Sequence, residues 1–307
     1  MDASNPPGLG DPAPGHDAFA ASEPLLANET LDEARARNVR DALREDVGTG
    51  DWTALLVPHG PATARVRVRE EAVLCGRDWF GACMRALDAA AAIDWRYDEG
   101  ADMARDTTVC EVRGDARALL TAERPALNFL QLLSGTATTT RRHVRAIEGA
   151  SPNPRGCAVL DTRKTVPGLR LAQKYAVRVG GGSNQRLALW DGILVKENHV
   201  AAAGGIAAAI ANARALDAGV EVQVEVESIE QLEEAIAAGA GSILLDNFTL
   251  ERMREAVAVA AGRALLEVSG GVTLDAIREI AATGVDRISI GALTKDVRAV
   301  DFSMRFV

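Results

Sequence analysis

Beyond Asn28 the apolar positions first repeat at helical spacing, with Leu31, Val39 and Leu43 broadly on one face. A glycine-rich turn in REDVGTGDWTALLVP breaks that pattern. Residues 64–68 then alternate apolar side chains with arginine, which predicts a strand, and 72–74 form another before Cys75-Gly76. Trp79, Phe80, Met84 and Leu87 predict a helix from about 78 to 92. Short strands are predicted at 94–97, 108–112 and 118–121. Strands and helices mixed without strict alternation describe an α+β domain over residues 29–134.

The pattern changes at RPALNFLQLL. A proline near the first turn and apolar residues at helical spacing predict a helix at 124–133, and a second follows at 136–147 before the loop SPNPRG. From there the order is regular. Strands are predicted at 158–161, 192–196, 220–226, 242–245, 264–268 and 287–290, with helices at 169–179, 205–216, 229–238, 250–260 and 274–282. Ser228 with Gln231 forms a capping box, Thr249 and Thr273 are N-cap candidates, and Gly239, Gly262 and Gly284 mark helix ends. The last four strands recur roughly every 22 residues, too far apart for hairpins. Residues 135–307 therefore form a parallel α/β unit, a barrel or a doubly wound sheet. No G-x-G-x-x-G follows its first strand, and polar residues close strand after strand: Asp161, Lys196, Glu225, Asp246, Ser269 and Gly291. Both features favour a barrel with about six to seven strands, whose site lies at their C-terminal ends.

With 307 residues, 48% hydrophobic and 25% charged, the chain has room for about two domains with proper cores. Its net charge of −9 argues against nucleic acid as a partner. Cys75, Cys83, Cys110 and Cys157 are scattered and suit free thiols in a reducing cytosol rather than zinc or disulfides. No apolar run approaches the roughly 20 residues that span a bilayer. The first 28 residues, rich in Pro, Gly and Ala, read as a mobile tail without targeting features. A cytoplasmic protein is expected.

Against that acidic background, residues 161–199 hold seven cationic side chains and three acidic ones, a local net charge of +4. Arg170, Lys174 and Arg178 are four apart and predict a solvated helix face. Arg163, Lys164 and Lys196 instead stand where apolar runs end, which suits an anionic ligand. Arg163 and Arg186 fit bidentate carboxylate recognition, and Lys164 and Lys196 fit point-charge contact with phosphate or pyrophosphate. EVSGGV and ISIGALT follow the last two strands, where barrels bind phosphate through backbone N–H groups; a simple turn at Gly270-Gly271 fits equally well. Glu225 and Asp246 close neighbouring strands. They suit Mg²⁺, which takes few protein oxygens, or stabilisation of positive charge on a sugar. A structural ion pair with Lys164 or Lys196 competes with both roles and can coexist with either.

The segments DTRKTVPGLR, QKYAVRVGGGSNQR, LVKENH, EVE, LLDNF, EVSGG and ISIGALTKDVRAVDFSMRF closely resemble the quinolinate phosphoribosyltransferases, or carboxylating nicotinate-nucleotide pyrophosphorylases. The resemblance runs from about Asp41 through Phe306. It implies an N-terminal α/β domain joined to an incomplete α/β barrel, assembled as a dimer or a multiple of one. It further implies that phosphoribosyl pyrophosphate and quinolinate react with Mg²⁺ to give nicotinate mononucleotide, pyrophosphate and CO₂ in de novo NAD biosynthesis. Residue by residue, Arg163 and Arg186 would grip the quinolinate carboxylates, with Thr162 and Gln185 beside them. Arg124 would reach into the pocket of a partner subunit. Lys164 and Lys196 would line the space between dicarboxylate and pyrophosphate, while Glu225 and Asp246 face ribose and metal; these four form the implied catalytic set. Ser269-Gly270-Gly271 and Ser289-Ile290-Gly291 would cradle phosphate.

Two positions depart from the family pattern. Gln185 stands where histidine is common, so a carboxylate contact there is neutral. Gln173 stands where an acid is common, and it is expected on the helix surface without a role. His143 and His199 are expected to be structural. Three rivals remain. A paralogous pyrophosphorylase acting on nicotinate without decarboxylation would make Arg124 and Arg186 dispensable. A non-catalytic phosphate-binding barrel would not need paired acids and paired lysines. An aldolase with a Schiff-base lysine would need that lysine desolvated, and other cations crowd Lys164 and Lys196.

Overall fold

The computed structural model describes residues 28–307; the expected N-terminal tail falls outside that range apart from Asn28. Helix α1 (Leu31–Val47) starts at a capping box in which Thr30 Oγ1 accepts from Glu33 N–H and Thr30 N–H donates to the Glu33 carboxylate. A 3₁₀ turn (Ala54–Leu56) leads to β1 (Pro61–Val68), β2 (Ala72–Val73), α2 (Arg77–Leu87), β3 (Ala92–Trp95), β4 (Asp102–Met103) and β5 (Thr108–Asp115). The alternation in β1 sends Ala64, Val66 and Val68 into a core shared with Trp79, Phe80 and Met84 of α2. The arginines between them face outward, as the sequence pattern requires.

Residues 118–121, expected as a strand, belong to a helix. Together with the two helices expected at 124–133 and 136–147 they form one 32-residue helix, α3 (Ala116–Ile147). Asp115 caps it by accepting from the N–H groups of Arg117 and Ala118. Leu119, Ala122, Ala126, Leu130, Leu133 and Ala137 then bury one face against that core. Tertiary burial outweighs Pro125, which removes one internal hydrogen bond, and Gly135. A side chain at Gly135 would overlap the backbone of Arg298, so the residue serves close packing rather than ending the helix.

The second sheet follows from β6 (Ala158–Leu160), α4 (Arg170–Val179), β7 (Gly192–Val195), α5 (Glu197–Ala203), α6 (Ile206–Ala215), β8 (Glu221–Val226), α7 (Ile229–Ala237), β9 (Ser242–Asp246), α8 (Leu250–Ala260), β10 (Leu265–Ser269), α9 (Ile277–Ala281), β11 (Arg287–Ser289) and α10 (Ala292–Lys295). Six parallel strands run in the order β6-β11-β10-β9-β8-β7, within the expected count. The sheet stays open between β6 and β7. There the segment after α4 runs alongside β6, where Ser183 N–H donates to Val159 O at 2.8 Å. Val224, Val226, Ile243, Leu245, Leu266, Val268 and Ile288 pack in the second core, whereas Gln223 and Glu267 bond to each other at 2.9 Å across the sheet's other face.

Strand β12 (Phe302–Phe306) returns the chain to the first domain, pairing antiparallel with β1 so that Met304 faces Val66. It completes the order β12-β1-β5-β3. Helices α5 and α10 were not foreseen. Both are short, and α5 lacks any fully buried side chain to betray it in the sequence. Among the described residues no helix is long and apolar enough to cross a membrane.

Candidate active site

Every candidate except Arg124 lies at or just beyond the C-terminal end of a parallel strand, or in the 183–186 segment beside β6. Thr162, Arg163 and Lys164 follow β6, Lys196 follows β7, and Glu225 is the penultimate residue of β8. Asp246 ends β9, Ser269 ends β10 ahead of Gly270 and Gly271, and Ser289 ends β11 ahead of Ile290 and Gly291. The register aligns Ser269 with Asp246 and Ser289 with Leu160, so neighbouring loops meet at one edge.

Those loops are tied together. Thr294 Oγ1 donates to Lys164 O at 2.7 Å, and a Cβ on Gly291 would lie 3.0 Å from Lys164 Cδ. Gly270 has φ +103°, and any side chain there would overlap the Asn247 amide. Gly271 has φ +57° with open space where its Cβ would be, the clearance that a backbone-bound anion needs.

Lys196 Nζ lies 3.0 Å from Glu225 Oε2, an ion pair compatible with a ligand role for both residues. Asp246 forms no ion pair among the described residues; its Oδ2 accepts from Asn247 Nδ2 at 2.8 Å. Glu225 and Asp246 are hard oxygen donors on adjacent strands. Among the described residues no group of three His, Cys, Asp or Glu side chains could hold a metal. That donor set fits Mg²⁺ arriving with a phosphate ligand and does not fit a closed protein cage.

Three guanidiniums converge without an acid between them. Burial, and then the positive charge of Arg163, lower the proton affinity of both Arg170 and Arg186. Arg186 Nη1 donates to Gly192 O at 2.8 Å, while the buried Nε atoms of Arg163 and Arg186 have no partner in the protein. Like charges gathered with unused buried donors mark an anion site. Gln185 Nε2 donates to Gln223 Oε1 at 3.3 Å, leaving its second amide hydrogen free. Arg124 stands on α3, exposed and without a hydrogen bond or ion pair among the described residues.

The expected solvated face at Arg170, Lys174 and Arg178 needs correction. Only Arg178 is exposed. The Lys174 side chain is 1% exposed and its ammonium is paired with the fully buried carboxylate of Asp161. Burial pushes Asp161 up and Lys174 down, each opposed by the other's charge. Gln173, expected on the surface, is also fully buried: it donates to Thr294 O and accepts from Val166 N–H, both at 2.8 Å. Four-residue spacing shows which residues share a face but not what that face meets. His143 and His199, expected to be structural, each bond to the backbone. His143 Nδ1 bonds to Thr139 O at 2.8 Å, and His199 Nδ1 accepts from Lys196 N–H at 3.0 Å.

An α+β domain feeding an open six-stranded parallel barrel, with lysines, acids and glycine loops on one strand edge beside an arginine cluster, defines an enzyme of phosphorylated substrates. Residues 136–305 match the family model for the C-terminal domain of quinolinate phosphoribosyl transferase, and 51–134 match that for the N-terminal domain. The chain is 40% identical over 291 residues to the carboxylating nicotinate-nucleotide pyrophosphorylase of Mycobacterium leprae, covering 91% of this chain and 99% of that one. It is 38% identical to the human protein of the same name, covering 86% and 88%. The solved nicotinate-nucleotide pyrophosphorylase of Francisella tularensis superposes with a TM-score of 0.86 at 45% identity, covering 91% of this chain and 98% of that one. The protein belongs to the quinolinate phosphoribosyl transferase family, and so is a pentosyltransferase.

Proposed function

We propose that the protein transfers the phosphoribosyl group of phosphoribosyl pyrophosphate to the ring nitrogen of quinolinate, with loss of CO₂ to give nicotinate mononucleotide. The observation that carries this reading is the acid-free cluster of Arg163, Arg170 and Arg186, whose unused buried donors suit a dicarboxylate. In this reading Lys164 and Lys196 line the space between that cluster and the glycine loops, where pyrophosphate leaves. Their charge stabilises the departing group, and Glu225 and Asp246 face the electron-poor sugar ring. Asp246 and Glu225 would hold Mg²⁺ together with substrate oxygens, and the ion would supply further charge neutralisation. Ser269-Gly270-Gly271 and Ser289-Ile290-Gly291 hold the 5′-phosphate. With the pyridine nitrogen quaternised, the ring itself accepts the electrons of the breaking carbon–carbon bond, so the enzyme acts mainly by positioning.

Arg124 joins the site across a dimer interface in this reading. Thr121 and Arg117, on the same helix, bond to Asp51 and Val57 of a segment that exposes Trp52 at 79%, Leu55 at 56% and Leu56 at 83%. An apolar surface of that kind beside an unengaged arginine suits burial against a second copy.

The test is an assay with Mg²⁺, phosphoribosyl pyrophosphate and quinolinate labelled in the 2-carboxylate. Labelled CO₂ and pyrophosphate should appear in equal amounts. Turnover of nicotinate with none of quinolinate would replace this reading with that of the nicotinate-specific paralogue.

A further inference from the structure

Helix α4 presents three polar side chains, Arg170, Gln173 and Lys174, towards the loops around it, and each ends on a loop of the site. Arg170 Nε donates to Thr165 Oγ1 at 3.2 Å and its Nη2 reaches Arg163 O at 3.5 Å. Gln173 bridges Val166 N–H and Thr294 O. Lys174 does most: its ammonium bonds to the Asp161 carboxylate and donates to Gln185 O at 2.9 Å. Asp161 in turn accepts from Gln185 N–H at 3.0 Å and from Asn184 Nδ2 at 2.5 Å, and Asn184 Nδ2 also donates to Lys174 O at 2.9 Å. Both partners of the ion pair are buried, and neither reaches the open space above the strand ends.

Arg163 and Arg186 come from two segments that share no regular pairing beyond one bridge, Leu160 to Ser183. The open seam of the barrel lies there, so the sheet does not set their separation. Asp161 lies two residues before Arg163, Asn184-Gln185 immediately precede Arg186, and Lys174 joins the two segments. We propose that the buried Lys174–Asp161 pair, with Asn184, is the positioning device that fixes the spacing of Arg163 and Arg186 to a substrate dicarboxylate.

A hydrophobic pair would fill the same space at no electrostatic cost, and replacing buried pairs in that way is often neutral or stabilising. What an apolar pair could not do is hold Gln185 by both its N–H and its C=O. Fixing the peptides on both sides of Gln185, immediately before Arg186, is a geometric function. A bidentate contact across two segments is sensitive to such placement, because displacement by about an ångström costs up to roughly a hundredfold in rate.

The inference rests on Arg163 and Arg186 gripping quinolinate. The test compares Lys174→Met, Asn184→Ala and the double variant Lys174→Met/Asp161→Asn with the wild type, measuring melting temperature and the KM for each substrate. Lys174→Met strands a buried carboxylate and should melt lower, whereas the double variant should regain much of that loss. In every folded variant the quinolinate KM should rise, by roughly tenfold in the double variant and about threefold in Asn184→Ala. The KM for phosphoribosyl pyrophosphate should stay within about twofold. Asn184 is only half-buried, so its variant folds even if those at Lys174 do not. Equal rises in both KM values, or a wild-type quinolinate KM in folded variants, would overturn the proposal. Absence of quinolinate turnover in the wild type would instead remove the functional reading beneath it.

Discussion

Lys196 and Glu225 form an ion pair of 3.0 Å at the ends of adjacent parallel strands, β7 and β8, where the register carries them to the same level. The lysine side chain is 46% exposed and the glutamate 11%, so water screens the contact and its worth to folding is about 0–1 kcal/mol. A pair so placed orders two charges for a ligand more than it holds the barrel closed. Lys196→Ala and Glu225→Ala should each melt close to the wild type, yet lose roughly a hundredfold or more in kcat/KM. Thermal melts beside steady-state kinetics decide this. A large loss of stability with near-normal turnover would make the pair structural.

Arg124 offers a test of assembly. If it serves the neighbouring subunit, Arg124→Ala and Lys164→Ala should each be inactive alone but complement when mixed. A mixed dimer then contains one site with both residues intact. Random reassortment should restore about a quarter of wild-type activity, since half the dimers are mixed and half their sites are whole. Mixtures that stay inactive after exchange of subunits, verified by mass, would place Arg124 outside the partner's site.

The two halves of the molecule differed in how legible they were. All six barrel strands were readable because parallel strands buried on one face by helices give apolar runs closed by polar residues. The strand-end placement of Lys196, Glu225 and Asp246 followed from those closures. Residues 118–121 misled because Ala-Leu-Leu-Thr suits a strand as well as a helix, and only Asp115 as a cap and burial on one face decide between them. Lys174 and Gln173 misled for a different reason. Long polar side chains are rarely buried, and nothing local reveals that a carboxylate and two carbonyls wait beneath the helix. The return of β12 to β1 is a pairing across more than 230 residues, beyond any local signal.

Gln185 is oriented from below. Gln223 Nε2 donates to Glu267 Oε2, which leaves Gln223 Oε1 to accept from Gln185 Nε2. The free amide hydrogen of Gln185 can then meet a carboxylate without any change of charge. Gln185→Ala should raise the quinolinate KM by about two- to tenfold, the worth of one neutral hydrogen bond. The wild-type KM should be flat between about pH 6 and 8, whereas Gln185→His should bind more tightly at the acid end, where imidazole is cationic. A wild-type KM that climbs through that interval would mean another group titrates against the substrate.

Glu267 carries the last prediction. It is 1% exposed inside the barrel, and burial raises its carboxyl above the ordinary value of 4.5; the Gln223 hydrogen bond opposes this, as do Ser289 and Arg287, while Glu221 adds to it. Because the folded value is the higher one, the native protein keeps a proton that the unfolded chain has already lost. Unfolding then releases a proton, so the contribution of this group is fullest below the unfolded value and declines as pH rises towards the folded value. Glu267→Gln removes the titration and keeps an oxygen to accept from Gln223. Its melting temperature should therefore gain on the wild type as pH increases from about 4 to about 8, with the gap widening from just above the unfolded value. Paired melts across that range measure it. A gap that is constant, or that narrows with rising pH, would show that Glu267 is ionised within the folded barrel.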